Sequence, residues 1–302
     1  MTEPTSVFQQ DAQFWARAWE AAKERSLGTR RAARDEEEMV AAWNRRAPRW
    51  ARRTGSEAAH QRRREILAWL EQEGALRRGI RVLDIGAGPG NFAIPIAKIA
   101  AEVVALEPAA AMLDLLKERA VKENLSNIHY LACTWQQVDL EKEGLTGRFD
   151  LVLASMTPGV RDAATLEKMM AASRGFCYYS GFAGGFPRTA EGELWQKIVG
   201  EAPRHLRGDI LPVFVYLYAL GYRPRVRFMT MEMNEEIPVE EAVAELSDFF
   251  ARHEEVTEEV KRVIRDYVKS RAVDGFYRRS RRACHGLLLW RVDEKWTAGG
   301  MY

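Results

Sequence analysis

The sequence predicts an α/β fold with a doubly wound, mostly parallel seven-stranded sheet, an N-terminal helical segment and a helical insertion before the last strand. Two observations predict this fold. From Ile80 onward, short β-branched runs alternate with stretches of helical periodicity, which is typical of right-handed βαβ units. Up to about Gly79, apolar residues such as Trp15, Ala18 and Trp19 recur only at helical spacing.

The predicted elements follow one another in the order that this fold requires. Strands are expected over residues 81–85, 102–106, 127–132, 149–154, 176–180, 225–233 and 286–292. Helices are expected between them over 91–101, 109–123 and 162–172, and Asp209 is the candidate N-cap of an apolar helix that ends at Gly221. We therefore expect a helical segment or cap over 1–75 and a sheet domain over 76–302, with an insertion over about 235–282.

Composition and cysteine usage narrow the class of protein. A chain of 302 residues can bury a large core without disulfides, and Cys133, Cys177 and Cys284 lie far apart with no CxxC pair. We therefore expect a reducing compartment and no metal site. The N-terminus lacks the pattern of a secretory signal, and the longest nearly uncharged apolar run, 210–222, is too short to span a bilayer of about 30 Å. These features indicate a cytoplasmic protein with no membrane partner.

The segment with the most chemical information is VLDIGAGPGN, over 82–91. An apolar strand runs into three alternate glycines, and a helix follows at once. Glycines let a ligand lie directly on the backbone, and the helix N-terminus offers it N–H groups. Glu107 ends the next strand, 21 positions beyond Gly86, where dinucleotide-type folds place a carboxylate that accepts hydrogen bonds from ribose hydroxyls. Together these features predict a nucleoside-binding domain.

The order of the glycines separates this segment from two other nucleotide-binding loops. The dinucleotide fingerprint is GxGxxG, whereas this loop reads GxGxG, with Pro89 before its third glycine and Asn91 where the fingerprint has its own third glycine. A carboxylate, Asp84, also stands two residues before the first glycine. No Lys-Ser/Thr pair follows the glycines, which excludes a phosphate-cradling P-loop.

The stretch VLDIGAGPGNF resembles motif I of the class I S-adenosylmethionine (SAM)-dependent methyltransferases. The resemblance extends through Glu107-Pro108, the helix with Met112 and the strand over 149–154, and it covers about residues 60–180. It implies methyl transfer from SAM, with S-adenosylhomocysteine as the product. By position, it implies that the SAM-binding residues are Asp84, Gly86, Ala87, Gly88, Gly90, Glu107, Pro108, Met112, Thr134, Trp135, Gln136 and Ser155.

The chain departs from the family pattern at two places. After the third strand the family often has an acid that binds the adenine amino group, but here the sequence reads ACTWQ, so this role passes to Thr134, Trp135 or Gln136. After the fourth strand, SMTPG replaces the (Asn/Asp)-Pro-Pro-aromatic motif of enzymes that methylate exocyclic or amide nitrogens. This replacement counts against a base-methylating enzyme. The acceptor is expected beside this loop, against Met156, Thr157 and Pro158.

We expect a small-molecule acceptor, while the methylated atom stays open. Methyl transfer from a sulfonium depends mainly on holding the nucleophile and the methyl group in line, and a base is needed only for a hydroxyl or thiol acceptor. The sequence therefore names no general base and no catalytic residue. The insertion lies near the sheet edge, where a lid or a homodimer surface could form, so the oligomeric state also stays open.

The sharpest basic patch is the arginine patch over 45–64, with eight arginines and one acid, Glu57. With Trp43 and Trp50 interleaved, it could bind an RNA backbone. It could instead be a solvated helical face whose arginines pair with acids at 35–38 or in the insertion. The resemblance adds a third reading, in which the two tryptophans wall the acceptor pocket. An RNA or protein methyltransferase, and a non-catalytic SAM-binding interaction protein, therefore remain the alternatives.

Overall fold

A computed structural model of the chain describes residues 11–25, 36–184, 190–200, 209–251, 256–297 and 300–301. Its helices are α1 (Ala12–Arg25), α2 (Glu36–Thr54), α3 (Glu57–Gln72), α4 (Ala93–Ala97), α5 (Ala110–Lys122), α6 (Ala163–Ala172), α7 (Ala190–Val199), α8 (Leu211–Ala219), α9 (Val239–Ala251) and α10 (Glu258–Lys269). Its strands are β1 (Arg81–Ile85), β2 (Glu102–Leu106), β3 (Ile128–Leu131), β4 (Phe149–Ser155), β5 (Ser173–Phe182), β6 (Arg225–Pro238), β7 (Ala272–Val273), β8 (Phe276–Arg291), β9 (Trp296–Thr297) and β10 (Gly300–Met301).

Seven strands form the main sheet in the order β3-β2-β1-β4-β5-β8-β6, and the two-residue strand β7 pairs beside β8. The pairs from β3 to β5 are all parallel, whereas β8 runs antiparallel to both β5 and β6. Because the chain leaves β1 first toward β2 and later toward β4, the strand order reverses at β1. In such a sheet, ligands bind outside the carboxyl ends of the strands at the point of reversal. The predicted fold class is confirmed.

Helices cover both faces of the sheet, which explains why the central strands read as continuous apolar runs. On one face, Val82 packs in a cluster with residues of α3 and α4, such as Leu70 and Ile96. On the other face, Leu83 packs with residues of α6 and α8, such as Leu166. The carboxyl ends of β1 and β2 are thereby held rigidly between two buried layers.

The last two long strands extend beyond their predicted ranges of 225–233 and 286–292. They continue as a charged hairpin in which Arg278 bonds to Glu236 at 2.8 Å and Arg282 lies 3.6 Å from Glu232. Cross-strand ion pairs take the place of the apolar alternation there, so hydrophobic periodicity did not reveal these strand segments. The hairpin leaves α9 and α10 as the helical part of the insertion.

Two predicted helix starts are wrong. The helix expected over 91–101 is limited to α4, because residues 91–92 are still part of the turn that follows the glycines. The N-cap of α8 is Ile210 rather than Asp209, although Asp209 Oδ1 accepts a hydrogen bond from the Leu211 N–H at 2.8 Å. The carboxylate therefore stabilises the start of α8 from one residue further out.

Helices α7, α9 and α10 pack on the tip of the charged hairpin around a separate apolar cluster. Its centre includes Trp195, whose ring stacks on Phe250 with centroids 5.9 Å apart. The insertion is therefore a packed unit with its own core and not an extended arm. Within the described ranges, no helix is both long enough and apolar enough to cross a membrane.

Helix α2 joins this insertion to the other side of the sheet. Near its middle, Asn44 Oδ1 accepts the Ala111 N–H of α5 at 2.9 Å. Further along, Arg49 Nε lies 3.1 Å from Glu241 and 3.3 Å from Glu245, both on α9. Helix α2 thus contacts α5 on one side and α9 on the other.

Candidate functional site

The glycine loop connects β1 to α4 at the carboxyl end of the sheet. Gly86 and Ala87 donate their N–H groups to the Leu106 carbonyl at 2.8 and 3.0 Å, which fixes the loop against the end of β2. A Cβ added to Gly86 would lie 2.1 Å from Thr157 Oγ1, so the loop after β4 closes tightly over this glycine. Gly88, with φ of +54°, is different, because an added Cβ would meet no protein atom within 4 Å. The backbone at Gly88 therefore borders open space in which a ligand can lie.

Two buried carboxyl groups, Asp84 and Glu107, flank this loop. Glu107 Oε2 accepts the Gly88 N–H and Oε1 accepts the Ala109 N–H, both at 2.9 Å. Each oxygen of Glu107 thus uses one lone pair to fix the carboxylate and keeps another for a ligand donor. This arrangement fits two hydroxyl groups of a ribose.

The two carboxyl groups also act on one another. Burial, and after it the charge of Glu107, raises the pKa of Asp84 to about 7, although the Ala93 N–H offsets part of this rise. Burial likewise raises the pKa of Glu107, while the N–H groups of Ala109 and Gly88 lower it. Among the described residues, Glu107 is held by backbone N–H groups, and no cation acts on the pKa of either carboxyl group. The site therefore favours a ligand that brings positive charge, such as a sulfonium or an ammonium group.

Two buried oxygens near the loop have no hydrogen-bond partner within the described chain, namely Asp84 Oδ2 and Thr134 Oγ1. Leaving a buried polar atom unsatisfied costs about 1–3 kcal/mol. A polar ligand that reached these two oxygens would remove this cost. The orphaned oxygens, the open face of Gly88 and the carboxyl pair together fit a nucleoside with a cationic side arm, as SAM is.

The three predicted adenine contacts have different environments. Trp135 is 1% exposed, and its Nε1 donates to the Thr165 carbonyl at 3.0 Å. Its side chain packs in the core, and its contact with adenine stays a prediction. The Gln136 Nε2 donates to the Gly159 carbonyl at 2.9 Å and so ties the β3 end to the loop after β4. Thr134 alone among the three presents an unpaired polar atom.

Residues expected at the adenine end pack beneath α2. Met112 is buried in a small cluster with Ala109 at the start of α5, and Trp43 and Trp50 of α2 pack against it. The two indole rings meet edge to face with centroids 5.5 Å apart. Pro108, directly before this cluster, is partly exposed.

This cluster contains none of the residues that follow β4. The tryptophans predicted to wall the acceptor pocket therefore lie on the α5 side of the glycine loop, because the Asn44 hydrogen bond docks α2 there.

The loop after β4 contains the residues predicted to lie beside the acceptor. Ser155 Oγ lies 3.0 Å from Ser180 Oγ at the end of β5. Met156 has a φ of +52°, which is uncommon outside glycine, and its N–H donates to the Ser180 carbonyl at 3.0 Å. Thr157 Oγ1 accepts the Gly159 N–H at 3.1 Å, and Pro158 is exposed. The loop therefore places one hydroxyl, that of Thr157, directly over Gly86.

Three arginines of the arginine patch, Arg49, Arg52 and Arg64, form ion pairs with acids. Arg49 contacts Glu241 and Glu245, and Arg52 lies 3.4 Å from Glu241. Arg64 bonds to Glu57 at 2.6 Å. The reading in which these arginines pair with the acidic insertion is therefore confirmed for Arg49 and Arg52.

Comparison with known proteins identifies the class of domain. Residues 82–176 match the family model described as a methyltransferase domain. A structure from Bacillus halodurans C-125 that is assigned as a methyltransferase has a TM-score of 0.50, is 17% identical and covers 75% of this chain and 98% of its own. That likeness concerns the fold. With the glycine loop and the two carboxyl groups, these matches define a class I methyltransferase domain.

Curated relatives match over the same part of the chain. A 23S rRNA (uracil-C(5))-methyltransferase of Alkalilimnicola ehrlichii is 37% identical over 79 residues, which are 26% of this chain and 18% of that protein. The corresponding protein of Alteromonas naphthalenivorans is 36% identical over 94 residues, 30% of this chain and 18% of the relative. The chain thus spans under a fifth of the length of these relatives. Residues 82–176 of the chain are therefore a domain similar to those of SAM-dependent class I methyltransferases.

Proposed function

We propose that the protein transfers a methyl group from SAM to a small-molecule acceptor. The observation that carries the proposal is the candidate donor site at the carboxyl ends of the strands, here called the cradle and formed by Asp84, Gly86, Gly88, Glu107 and Thr134. There, Gly88 leaves open space while Asp84 Oδ2 and Thr134 Oγ1 lack partners among the described residues. When bound there, SAM supplies a methyl group already activated on a sulfonium.

The residues of the cradle have distinct roles in this proposal. Glu107 orients the ribose through the lone pairs that its backbone hydrogen bonds leave free. Asp84 contributes negative charge opposite the cationic part of the donor. Thr157, packed over Gly86, keeps water away from the backbone of the loop. Positioning of this kind is the main source of rate enhancement when the leaving group is already activated.

A small acceptor is supported by the electrostatics of α2. Two arginines of the arginine patch, Arg49 and Arg52, already face Glu241 on α9. An RNA would have to displace these ion pairs before it could gain from the arginines. The similarity to rRNA methyltransferases covers less than a third of the chain. It concerns the proposed donor-binding domain and gives no information on the acceptor.

The proposed donor site is tested by a substitution with a matched control. Gly88 and Gly147 have φ of +54° and +58°, and an added Cβ at either meets no protein atom within 4 Å. Gly88→Val and Gly147→Val therefore impose similar backbone strain, but only Gly88 borders the cradle. Titration calorimetry with SAM and S-adenosylhomocysteine should show binding lost in Gly88→Val and kept in Gly147→Val. Equal affinities in the two variants would refute the donor site.

The acceptor class is tested by turnover. Methyl-labelled SAM is incubated with the protein and either a small-molecule extract or bulk RNA, and incorporated label is counted. We expect label in the small-molecule fraction and none above background in RNA. Label in RNA alone contradicts the small-molecule acceptor, and donor binding without label in either fraction supports the non-catalytic alternative.

A further inference from the structure

A cavity of about 210 Å³ lies beside the glycine loop, and Pro89, between the second and third glycines, forms part of its wall. Its walls come from the end of α2, the start of α3, the turn after the glycines and the middle of α5. The side chains that matter are those of His60, Arg63, Asn91 and Arg119. None of Asp84, the cradle glycines, Glu107 or Thr134 lines it.

Arg63 is only 7% exposed, yet it contacts no carboxylate among the described residues. Its Nη1 donates to the Thr54 carbonyl at 2.8 Å, and its Nη2 lies 2.9 Å from His60 Nδ1. Because a guanidinium has only donors, His60 Nδ1 must accept this bond. The proton of a neutral His60 is therefore on Nε2, which leaves that nitrogen as a further donor.

Arg119 brings a second positive charge to the same cavity. Its Nη1 donates to the Pro89 carbonyl at 2.6 Å and to Asn91 Oδ1 at 3.3 Å. The acid whose charge acts on it, Glu123, is bonded to Lys98 at 2.8 Å. Burial, and after it the charges of Arg119, Arg62 and Arg64, lowers the pKa of Arg63 to about 10, so its guanidinium group remains charged at neutral pH. Burial also lowers the pKa of Arg119, while the charge of Glu123 raises it.

A second cavity shows how arginines are usually balanced in this protein. It has a volume of about 220 Å³ at the amino end of the strands and is lined by Arg77, Arg174 and Arg291. There, Asp150 lies 3.0 Å from Arg174 and 3.8 Å from Arg77, while Arg291 bonds to Asp293 at 2.6 Å. The cavity at Arg63 lacks such acids among the described residues. One buried and one half-buried guanidinium group that share a cavity without a carboxylate in its walls repel one another, so a counter-charge is expected from a ligand.

The chemistry of the cavity selects the ligand. Two guanidinium groups carry a charge of +2, which matches the charge of about −2 on a phosphate monoester at neutral pH. A carboxylate or a phosphodiester brings only −1. The volume is below the roughly 300–1,000 Å³ of sites that enclose whole ligands, so the cavity holds one substituent of a larger molecule.

We propose that the cavity formed by His60, Arg63 and Arg119 binds the phosphate monoester group of the methyl acceptor. This inference rests on the proposed function, since it names the chemical class of the small acceptor. Arg guanidinium groups bind phosphate through paired N–H donors, and His60 Nε2 adds a donor from α3.

The first test is binding. Titration calorimetry at constant ionic strength uses inorganic phosphate, glycerol 3-phosphate and an oligouridylate without terminal phosphates. Arg119→Gln should weaken binding of both monophosphate probes about tenfold or more, as removal of a charged donor does. Arg64→Gln is the matched control, because Arg64 is on the same helix as Arg63 but is 58% exposed and paired with Glu57. Its affinity should stay within about twofold of the parent protein.

Arg63→Gln should weaken phosphate binding as Arg119→Gln does. It also removes the hydrogen bond to the Thr54 carbonyl, which can impair folding. If Arg63→Gln does not fold, the result with Arg119→Gln decides the test. Binding of S-adenosylhomocysteine should be unchanged in Arg119→Gln. The proposal is overturned if neither monophosphate probe binds, if Arg64→Gln weakens binding equally, or if the oligouridylate binds more tightly than glycerol 3-phosphate. It is also overturned if Arg119→Gln loses the nucleoside instead of the phosphate.

The second test links the cavity to the acceptor. Treatment of the small-molecule extract with a phosphatase should abolish incorporation of labelled methyl, while unchanged incorporation overturns the acceptor assignment. A failure of the proposed function differs from a failure of this inference in one measurement on the parent protein. If the proposed function is wrong, the parent protein binds no S-adenosylhomocysteine, whatever its affinity for phosphate.

Discussion

Replacement of Asp84 by asparagine removes a charge without changing the shape of the side chain, and its effect on stability depends on pH. In the folded protein the pKa of Asp84 is about 7, against an ordinary value of 3.8. Each pKa unit corresponds to about 1.36 kcal/mol, so ionisation of Asp84 costs the folded state about 4 kcal/mol at pH values above 7. Below pH 4 the carboxyl is protonated in both states, and this cost is absent.

The sign of the effect follows from proton binding. Because its folded pKa is raised, Asp84 binds more protons in the folded than in the unfolded protein between pH 4 and 7. The free energy of unfolding of the parent protein therefore falls as pH rises through this range, relative to that of Asp84→Asn. Asp84→Asn should gain up to about 4 kcal/mol over the parent protein on going from pH 4 to pH 8.

The assay is urea unfolding of both proteins by circular dichroism at several pH values between 4.5 and 8. The difference between the two unfolding free energies cancels the titration of groups that do not interact with Asp84. A difference that does not change with pH would refute the reasoning, since it would mean that Asp84 ionises normally in the fold. The same variant should bind SAM about tenfold or more weakly at pH 8, because it lacks the charge opposite the cationic donor.

Three further outcomes are expected. Glu107→Gln should weaken S-adenosylhomocysteine by about 1.5–3 kcal/mol in calorimetry, because a charged hydrogen-bond acceptor is lost, and an unchanged affinity contradicts its ribose role. Met156→Gly should raise the free energy of urea unfolding by about 1 kcal/mol, because a φ of +52° is strained for methionine and relaxed for glycine. A lower free energy of unfolding would show that contacts of the methionine side chain outweigh the strain. Arg49→Ala should lower the free energy of unfolding by less than about 1 kcal/mol, because the ion pairs of Arg49 with Glu241 and Glu245 are partly exposed. This loss should vanish in 1 M salt. A loss that persists in salt would show that Arg49 stabilises the fold by packing rather than by charge.

The donor side could be predicted from the sequence because its signals are local. The glycines, Asp84 and Glu107 are fixed by short stretches of backbone at the ends of adjacent strands, so spacing alone brings them together. The environment of the Trp135 side chain could not be predicted, because it depends on a distant part of the chain. Whether its ring points to a ligand or into the core is decided by α6, which offers the Thr165 carbonyl at 3.0 Å and lies 30 residues further along the chain.

The cavity formed by His60, Arg63 and Arg119 could not be predicted, because its two arginines are distant in sequence. Arg63 is in the arginine patch, and Arg119 is in a helix whose acids and bases otherwise read as an ordinary solvated face. They meet because α3 and α5 both border the turn that contains Pro89 and Asn91. The sequence does show the excess of arginine, but it does not show which arginines lack an acid.

The position of α2 is fixed by contacts on both of its sides, with α5 and with α9. Its Asn44 bonds to the first turn of α5, its Arg49 bonds to α9, and its last turn borders the cavity at Arg63. A swing of α2 away from α5 would also pull on α9 and widen the cavity. A change at either flank of α2 is therefore expected to reach the wall of this cavity as well.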